Sequence, residues 1–552
     1  MGKNYQSILA GIIIGLTFSL SQPFYGWWFL VFLGFFLIFL ILKILHARHV
    51  QHDGHVVSGQ AFVLGYFTGL VFFLADFKWL WSVYPLKSFG IESLPLAFFF
   101  VFLTWVITAG AMALLWGLAV WLFYKIDRSI SPATFLIFPS IFTLAEYLRS
   151  FFIALIWIGP HTPIGPFWTL GNLAYNFHGS FLFLKFASWF GIYGVDFLIV
   201  FLSLGLFIFL EKKRYKKLLI LVLSIFILFY WPNFLRFDLF EDPRSNLNQK
   251  IEVAVIQTKT PSKPSYTSSE EASIFKTQLE LTASVSKNFP QTKLLVFPEE
   301  SNFFTKLAIF KKAPEASRYF TDLFPEPVLI LDNSQISDNG KLKARTIFLD
   351  SQKGILGSYD KYLITPGAEY APLLFKKLDK ILGLNSPELQ KIREYQTGGE
   401  WPRAINFENI RVMALVCADI FSAHLARSEA VQPNLLVSQS SFAFSHSPKD
   451  LLAKDLAASK FRAAESGRYL IKSSNFGHSF VISDTGKQIK TTSTSNSNFD
   501  PQILTASVVL KENKTLYNKV GDTPILLGAL MVVSVALFFT KVRPFLRPKV
   551  EP

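Results

Sequence analysis

Cysteine is almost missing: the 552 residues hold one, Cys417, which excludes an internal disulfide and a cysteine-rich metal site and leaves the redox compartment unread. Charge is scarce too, at 17% Asp, Glu, Lys and Arg against about 25% in an ordinary soluble protein, so the chain is too apolar for a wholly soluble enzyme. There is no GxxxxGKS or GxGxxG phosphate loop and no internal repeat. Acidic residues number 39 against 54 basic ones, a formal charge of +15. That sign fits either nucleic acid or an anionic membrane surface, and where the Lys and Arg sit decides between them.

What is abundant is apolar surface: 51% hydrophobic and 16% aromatic residues, with a mean hydropathy of +0.35. A bilayer crossing needs about 20 apolar residues as helix. Eight runs approach that length: Ile8 to Leu20, Trp27 to Leu45, Val56 to Leu74, Leu94 to Tyr124, Ala133 to Ile158, Phe181 to Leu210, Leu218 to Trp231 and Pro524 to Thr540. If they alternate in direction, Lys43 and Arg48, Lys125 and Arg128, the Lys212 to Lys217 run and the tail at Lys541, Arg543, Arg547 and Lys549 share one side. That side is cytoplasmic by the positive-inside rule, so the basic excess records topology and no nucleic-acid partner is expected. The first run lacks a small-residue cleavage site and reads as a retained anchor.

Between the last two runs, residues 246–518 have the mixed polarity and turn residues of a globular domain placed outside the cytoplasm. Short β-rich runs alternate there with helical ones, which predicts an α/β domain. The strands are Ile251 to Gln257, Leu294 to Phe297, Val328 to Leu331, Thr346 to Asp350, Val412 to Val416, Leu435 to Ser438, Tyr469 to Lys472, Phe480 to Ser483 and Ile503 to Leu510. Helical patterns cover Glu270 to Lys287 and Lys449 to Glu465, and Thr492 to Asn498 reads as an exposed loop. The expected organisation is a helix bundle over 1–232, a catalytic domain over 246–518 and a final membrane helix over 522–540.

Three polar residues stand at or near the ends of apolar strands: Glu299 after LLVFP, Lys361 in GSYDKYL and Cys417 after RVMALV. A carboxylate base, a cation and a thiol are what acyl transfer through a thioester requires. Singly, each has a plainer reading: a lone Cys is most often a small buried hydrophobe, and the other two are most often surface residues. Glu300 is an alternative base, although the Pro-Glu register favours Glu299.

Order and local sequence together resemble the Glu-Lys-Cys arrangement of the carbon-nitrogen hydrolase (nitrilase) superfamily. The stretch Tyr359-Asp360-Lys361-Tyr362-Leu363-Ile364-Thr365-Pro366-Gly367-Ala368-Glu369-Tyr370-Ala371-Pro372 is similar to the Tyr-x-Lys-x-x-Leu-Val-Pro-Phe-Gly-Glu-Tyr-x-Pro signature of apolipoprotein N-acyltransferases. Thr515-Leu516-Tyr517-Asn518-Lys519-Val520-Gly521-Asp522 resembles that family's Thr-x-Tyr-x-Arg-x-Gly-Asp, and Glu146-Tyr147-Leu148-Arg149 its Glu-Trp-Leu-Arg. The resemblance implies an αββα sandwich on about eight transmembrane helices. It also implies Glu299 as base, Lys361 as oxyanion stabiliser, Cys417 as nucleophile and Glu369 as a supporting carboxylate. Two stretches depart from the family: Cys417-Ala418-Asp419 stands where Cys-Tyr-Glu is common, keeping the charge on the shorter Asp419, and Phe444 is the counterpart of a tryptophan.

The implied reaction moves an acyl chain from a phospholipid through a Cys417 thioester to the amine of an S-diacylglyceryl-cysteine apolipoprotein, in a monomer of the bacterial inner membrane, without cofactor or metal. The alternatives are a membrane amidase that uses water, and an inactive lipid-binding scaffold. Glu146 and Arg149, one helical turn apart in an apolar run, are expected to pair or face a polar pocket, as substrate contacts or as a structural tie. His46, His49, His52 and His55 recur every third residue beside Arg48, a spacing that argues little for a metal. Phe303 to Phe310 and Phe442 to Phe444 are either a lid dipping toward lipid or buried packing.

Overall fold

The computed structural model describes residues 2–546 apart from 50–53, 90, 127–132, 235–248, 264, 311–312, 339–340, 382, 384–394, 396, 398, 428–431 and 493–498. The expected domain boundary between residues 232 and 246 largely lies outside the described residues, as do His52 and most of the Thr492 to Asn498 loop.

In hydrocarbon each backbone N–H and C=O must be satisfied within its own segment, so the apolar runs fold as helices. They are α1 (Gly2–Leu20), α2 (Leu30–His49), α3 (Gly54–Asp76), α4 (Leu94–Ile126), α5 (Thr134–Arg149), α6 (Phe152–Ile156), α7 (Phe181–Glu211) and α8 (Tyr215–Phe234). Among the described residues, five helical stretches are long and apolar enough to cross a membrane: Leu30–Ala47, Ser58–Val83, Leu94–Ile126, Phe181–Glu211 and Thr523–Thr540. The fifth run, Ala133 to Ile158, is not one helix. The Ser150 carbonyl is taken by the Trp168 N–H at 3.1 Å, a partner from outside the helix. The 16 residues of α5 rise about 24 Å, short of the roughly 30 Å hydrocarbon core.

Small residues bring the bundle backbones together. A Cβ at Gly15 of α1 would stand 2.7 Å from the Thr68 carbonyl oxygen of α3, and one at Gly65 of α3 would stand 2.6 Å from the Trp116 carbonyl oxygen of α4.

The second half of the chain is a two-sheet sandwich. The first sheet has the order β12-β1-β2-β3-β4-β5, from β1 (Lys250–Gln257), β2 (Thr292–Val296), β3 (Leu329–Asp338), β4 (Lys341–Asp350), β5 (Gly354–Asp360) and β12 (Gln502–Val509). The second has the order β11-β10-β9-β8-β7-β6, from β6 (Ile405–Phe407), β7 (Ile410–Val416), β8 (Leu435–Ser441), β9 (Tyr469–Asn475), β10 (Phe480–Ile482) and β11 (Gln488–Thr491). The centre of each is parallel: β1-β2-β3 in one, β7-β8-β9 in the other. All nine expected strands are present. The three that were not expected, β5, β6 and β11, lie at sheet edges, where no strand is buried on both sides and the apolar pattern fades.

Side chains alternate along each strand, so the central strands serve two cores. In β1, Val253 and Val255 face the second sheet, whereas Ala254 and Ile256 meet α9 (Ser268–Asn288), α10 (Phe303–Phe310) and α11 (Ala313–Leu323). In β7, Val412, Ala414 and Val416 join the inter-sheet core. Met413 and Leu415 point the other way, into a core shared with α13 (Lys449–Ser466) and continuous with the helix bundle. A shorter α12 (Leu373–Ile381) precedes β6; α14 (Leu516–Val520) and α15 (Thr523–Leu546) end the chain.

Within Phe303 to Phe310, the side chains of Phe303 and Leu307 are therefore packing. Asp332 accepts the Phe303 and Phe304 N–H groups at 3.2 and 2.9 Å and starts a helix there, with Phe303 and Leu307 buried under the first sheet.

Candidate active site

Parallel strands deliver their C-terminal ends to one place, and three chain turns meet there. β2 continues through Phe297, whose N–H reaches the Leu331 carbonyl at 2.9 Å, to Glu299. Lys361 follows β5, with its N–H on the Ala344 carbonyl at 2.8 Å. Cys417 follows β7 at φ +49°. A left-handed conformation at a non-glycine residue costs about 1–3 kcal/mol, and such strain gathers at functional sites. Here the turn leaves the thiol partly exposed among buried neighbours.

The Lys361 ammonium donates to Glu299 Oε1 at 3.1 Å and to Glu369 Oε1 at 3.0 Å, with only 2% of its surface exposed. Each carboxylate has its second oxygen fixed by backbone: Glu299 Oε2 by the Ser441 N–H at 2.8 Å, Glu369 Oε2 by the Thr365 N–H at 2.6 Å. Asp419 works behind the thiol. It accepts the Val416 N–H at 3.0 Å, the Leu363 N–H at 2.8 Å and the Tyr359 hydroxyl at 2.8 Å, tying the turn at Cys417 to the segment carrying Lys361.

Burial pushes the Lys361 ammonium toward neutrality, but Cys417, Glu299 and Glu369 outweigh it and hold the lysine well above its ordinary value. Burial pushes the Cys417 thiol up; Glu299 and Glu369 add to that, and Lys361 and Lys472 oppose it without reversing it. The resting sulfur is thus a thiol that needs a base. Burial also raises Asp419 to about 6 and, with Glu299 beside it, Glu300 to about 7.

Cys417 opens into an apolar cleft of about 780 Å³, counting its mouth, between the sandwich and the helix bundle. One side is Thr104 and Thr108 of α4 with Trp79, Leu80 and Trp157; the other carries Phe421, Phe442 and Phe444. Phe442 and Phe444 line this cleft.

The family profile described as the apolipoprotein N-acyltransferase N-terminal domain matches residues 14–205. Apolipoprotein N-acyltransferases of Rickettsia prowazekii and of Prochlorococcus marinus subsp. pastoris align with nearly the whole chain. The first is 22% identical over 492 residues, 87% of each chain, and the second 24% identical over 496 residues, 86% of this chain and 88% of the relative. Over most of its length the chain is similar to apolipoprotein N-acyltransferases. The carbon-nitrogen hydrolase from Helicobacter pylori G27 is similar to half of the chain, with 17% identity, a TM-score of 0.36 and 95% of that protein covered. A nitrilase-superfamily amidase from Nesterenkonia is similar at 15% identity and a TM-score of 0.35, covering 50% of this chain and 96% of that one. This similarity and the apolar helices together mark the chain as a bacterial membrane protein.

Of the residues singled out from sequence, Glu299, Lys361 and Glu369 meet in one hydrogen-bonded group, and Cys417, Asp419 and Phe444 adjoin it. Glu146 and Arg149 lie elsewhere, in the helix bundle, fully buried and paired at 2.8 Å. Glu146 also accepts from the Trp116 indole at 2.8 Å, Arg149 donates to the Leu170 carbonyl at 2.7 Å, and Asn172 bridges Glu146 to Asp196. These contacts tie α4, α5 and α7 together, and neither residue lines the cleft. His46 stacks on Tyr124 with 4.5 Å between ring centroids. Sequence reasoning missed Lys472 and Asp455 beside the cleft; a lysine closing the apolar strand Tyr469 to Lys472 was the available signal.

Proposed function

We propose that the chain is an acyltransferase that moves an acyl chain from a phospholipid to the N-terminal amine of an S-diacylglyceryl-cysteine apolipoprotein, through a Cys417 thioester. Glu299 takes the proton from Sγ as sulfur attacks the ester carbonyl carbon, and the oxyanion forms beside the Lys361 ammonium. The ester C–O bond then breaks, Glu299 returns the proton to the departing alcohol oxygen, and a lysophospholipid leaves. In the second half the neutral amine attacks the thioester carbonyl. Glu299 takes a proton from nitrogen and passes it to Sγ as the C–S bond breaks, leaving an amide and the free thiol.

One observation carries this reading: a cation clamped between two carboxylates stands beside a lone thiol at the head of an apolar cleft shared with membrane helices. An acyl chain loses about 0.8 kcal/mol for each CH₂ drawn into water, so such a cleft suits a lipid donor. Glu369 holds Lys361 in place, Asp419 holds the turn at Cys417, and Phe444 lines the way in for the substrate. In this reading residues 246–518 work on the extracytoplasmic side of the inner membrane, with residues 1–232 and 522–540 as the membrane portion of a monomer, a topology that the basic loops support.

Intact mass spectrometry after incubation with phospholipid vesicles tests the scheme. The wild type is expected to gain one acyl group, lost on adding a diacylated lipopeptide that becomes triacylated, and Cys417→Ala to gain none. Free fatty acid released without acylated lipopeptide would overturn acyl transfer in favour of hydrolysis.

A further inference from the structure

A second cation stands at the cleft that the chemistry above does not use. Lys472 is on β9, beside β8, with its side chain fully buried. Its ammonium donates to Ser440 Oγ at 2.6 Å, Asp455 Oδ1 at 2.7 Å and Ser438 Oγ at 3.2 Å. An ammonium has three donors, so all are engaged. Ser440 and Asp455 line the cleft together with Cys417. So does Phe442, whose ring centroid is 5.7 Å from the ammonium.

A buried ion pair is a poor device for stability, since apolar side chains of similar volume commonly do as well or better. What this pair touches suggests another use. Ser440 is followed by Ser441, whose N–H is the group fixing Glu299 Oε2 at 2.8 Å. A cation that pins one hydroxyl of β8 therefore also pins the next peptide, which aims the base.

We propose that Lys472, anchored by Asp455, is a positioning residue of the acyl-transfer site: it fixes the Ser440–Ser441 end of β8 so that Ser441 aims Glu299. This rests on the roles given above to Cys417 and Glu299. The charged groups acting on the sulfur are Glu299 and Glu369, which disfavour the thiolate, and Lys361 and Lys472, which favour it.

The single cysteine makes the test direct, because iodoacetamide alkylation followed by intact mass reads that sulfur alone. Lys472→Met is expected to move the pH profile of alkylation upward, slowing the reaction at a given pH by about tenfold for each unit the thiol rises. Lys472→Arg, which keeps the charge, restores most of the rate. A folded Lys472→Met protein that keeps both the wild-type alkylation profile and the wild-type rate of acylation by phospholipid would overturn the proposal. Ser440→Ala keeps the ammonium and loses one tether, so it is expected to leave the alkylation profile in place while slowing acylation by phospholipid about tenfold. Wild-type acylation in that variant would overturn the proposal, even if Lys472→Met does not fold. Alkylation needs neither donor nor acceptor, so these outcomes are separate from failure of the acyl-transfer reading, which would show as no acyl adduct on the wild type.

Discussion

Glu299 plays two opposed parts at the scale of a single residue. As proposed base it draws the proton from the thiol, yet its negative charge also makes the thiolate harder to form. Glu299→Gln separates them. Acylation by phospholipid is expected to fall about 10²–10⁴-fold, measured as the rate at which the thioester adduct appears. Alkylation by a small electrophile at fixed pH is expected to speed up, because a charge that raises the thiol has gone. If both rates fall together, Glu299 is holding the site's shape and not moving protons.

Glu300 offers a second residue-scale check through pH. Its carboxyl is raised from 4.5 to about 7 in the folded chain, so between those values the native state keeps a proton that the unfolded state has lost. Stability from this group is full below 4.5 and declines as pH climbs through about 7, by at most about 1.4 kcal/mol per unit. Glu300→Gln should abolish that decline: thermal unfolding of the detergent-solubilised protein would match the wild type at pH 4.5 and occur at higher temperature than the wild type at pH 8. Both glutamates were visible in the sequence, because Pro-Glu ends an apolar run. Their division of labour was not, since it depends on Ser441 and Gln335, which come from distant strands.

Elements were legible in proportion to how deeply both their faces are buried. The seven residues of β7 are almost wholly apolar because each faces one of two cores, whereas β5 (GILGSYD) has an open edge and carries glycines. A different failure explains α10: its apolar run was read without its cap, and the capping Asp332 is 29 residues downstream of Phe303. The Ala133 to Ile158 run misled in turn because hydropathy does not register the Trp168 N–H that breaks the ladder at Ser150. Close packing of α3 on α4 gives a prediction at this scale. Gly65→Leu would drive a side chain into the Trp116 carbonyl and Val120, costing about 1–3 kcal/mol or forcing the helices apart. A lowered midpoint of thermal aggregation in detergent would report it.

At the scale of the molecule, sandwich and bundle are joined by a buried ion pair as well as by shared core. Lys454 of α13 reaches Asp76 Oδ1 at the end of α3 at 3.2 Å, both nearly without exposure, and donates to the Asp76 carbonyl as well. Removing one partner strands a charge, so Lys454→Met alone should lose about 3–5 kcal/mol. The double variant Asp76→Asn with Lys454→Met should recover most of that, as read from unfolding midpoints. Equal losses in the single and double variants would mean the pair is not coupled. Nothing in the sequence hinted at this bond, because its halves are 378 residues apart.

The face of the second sheet that carries Met413 and Leu415 has no boundary with the helices beneath it. Severing the polypeptide in the stretch between the two halves would therefore release no freestanding enzyme. The excised piece would bare a greasy underside and clump, so a water-soluble version of this catalyst has to be redesigned along α13, not simply trimmed from its membrane anchor.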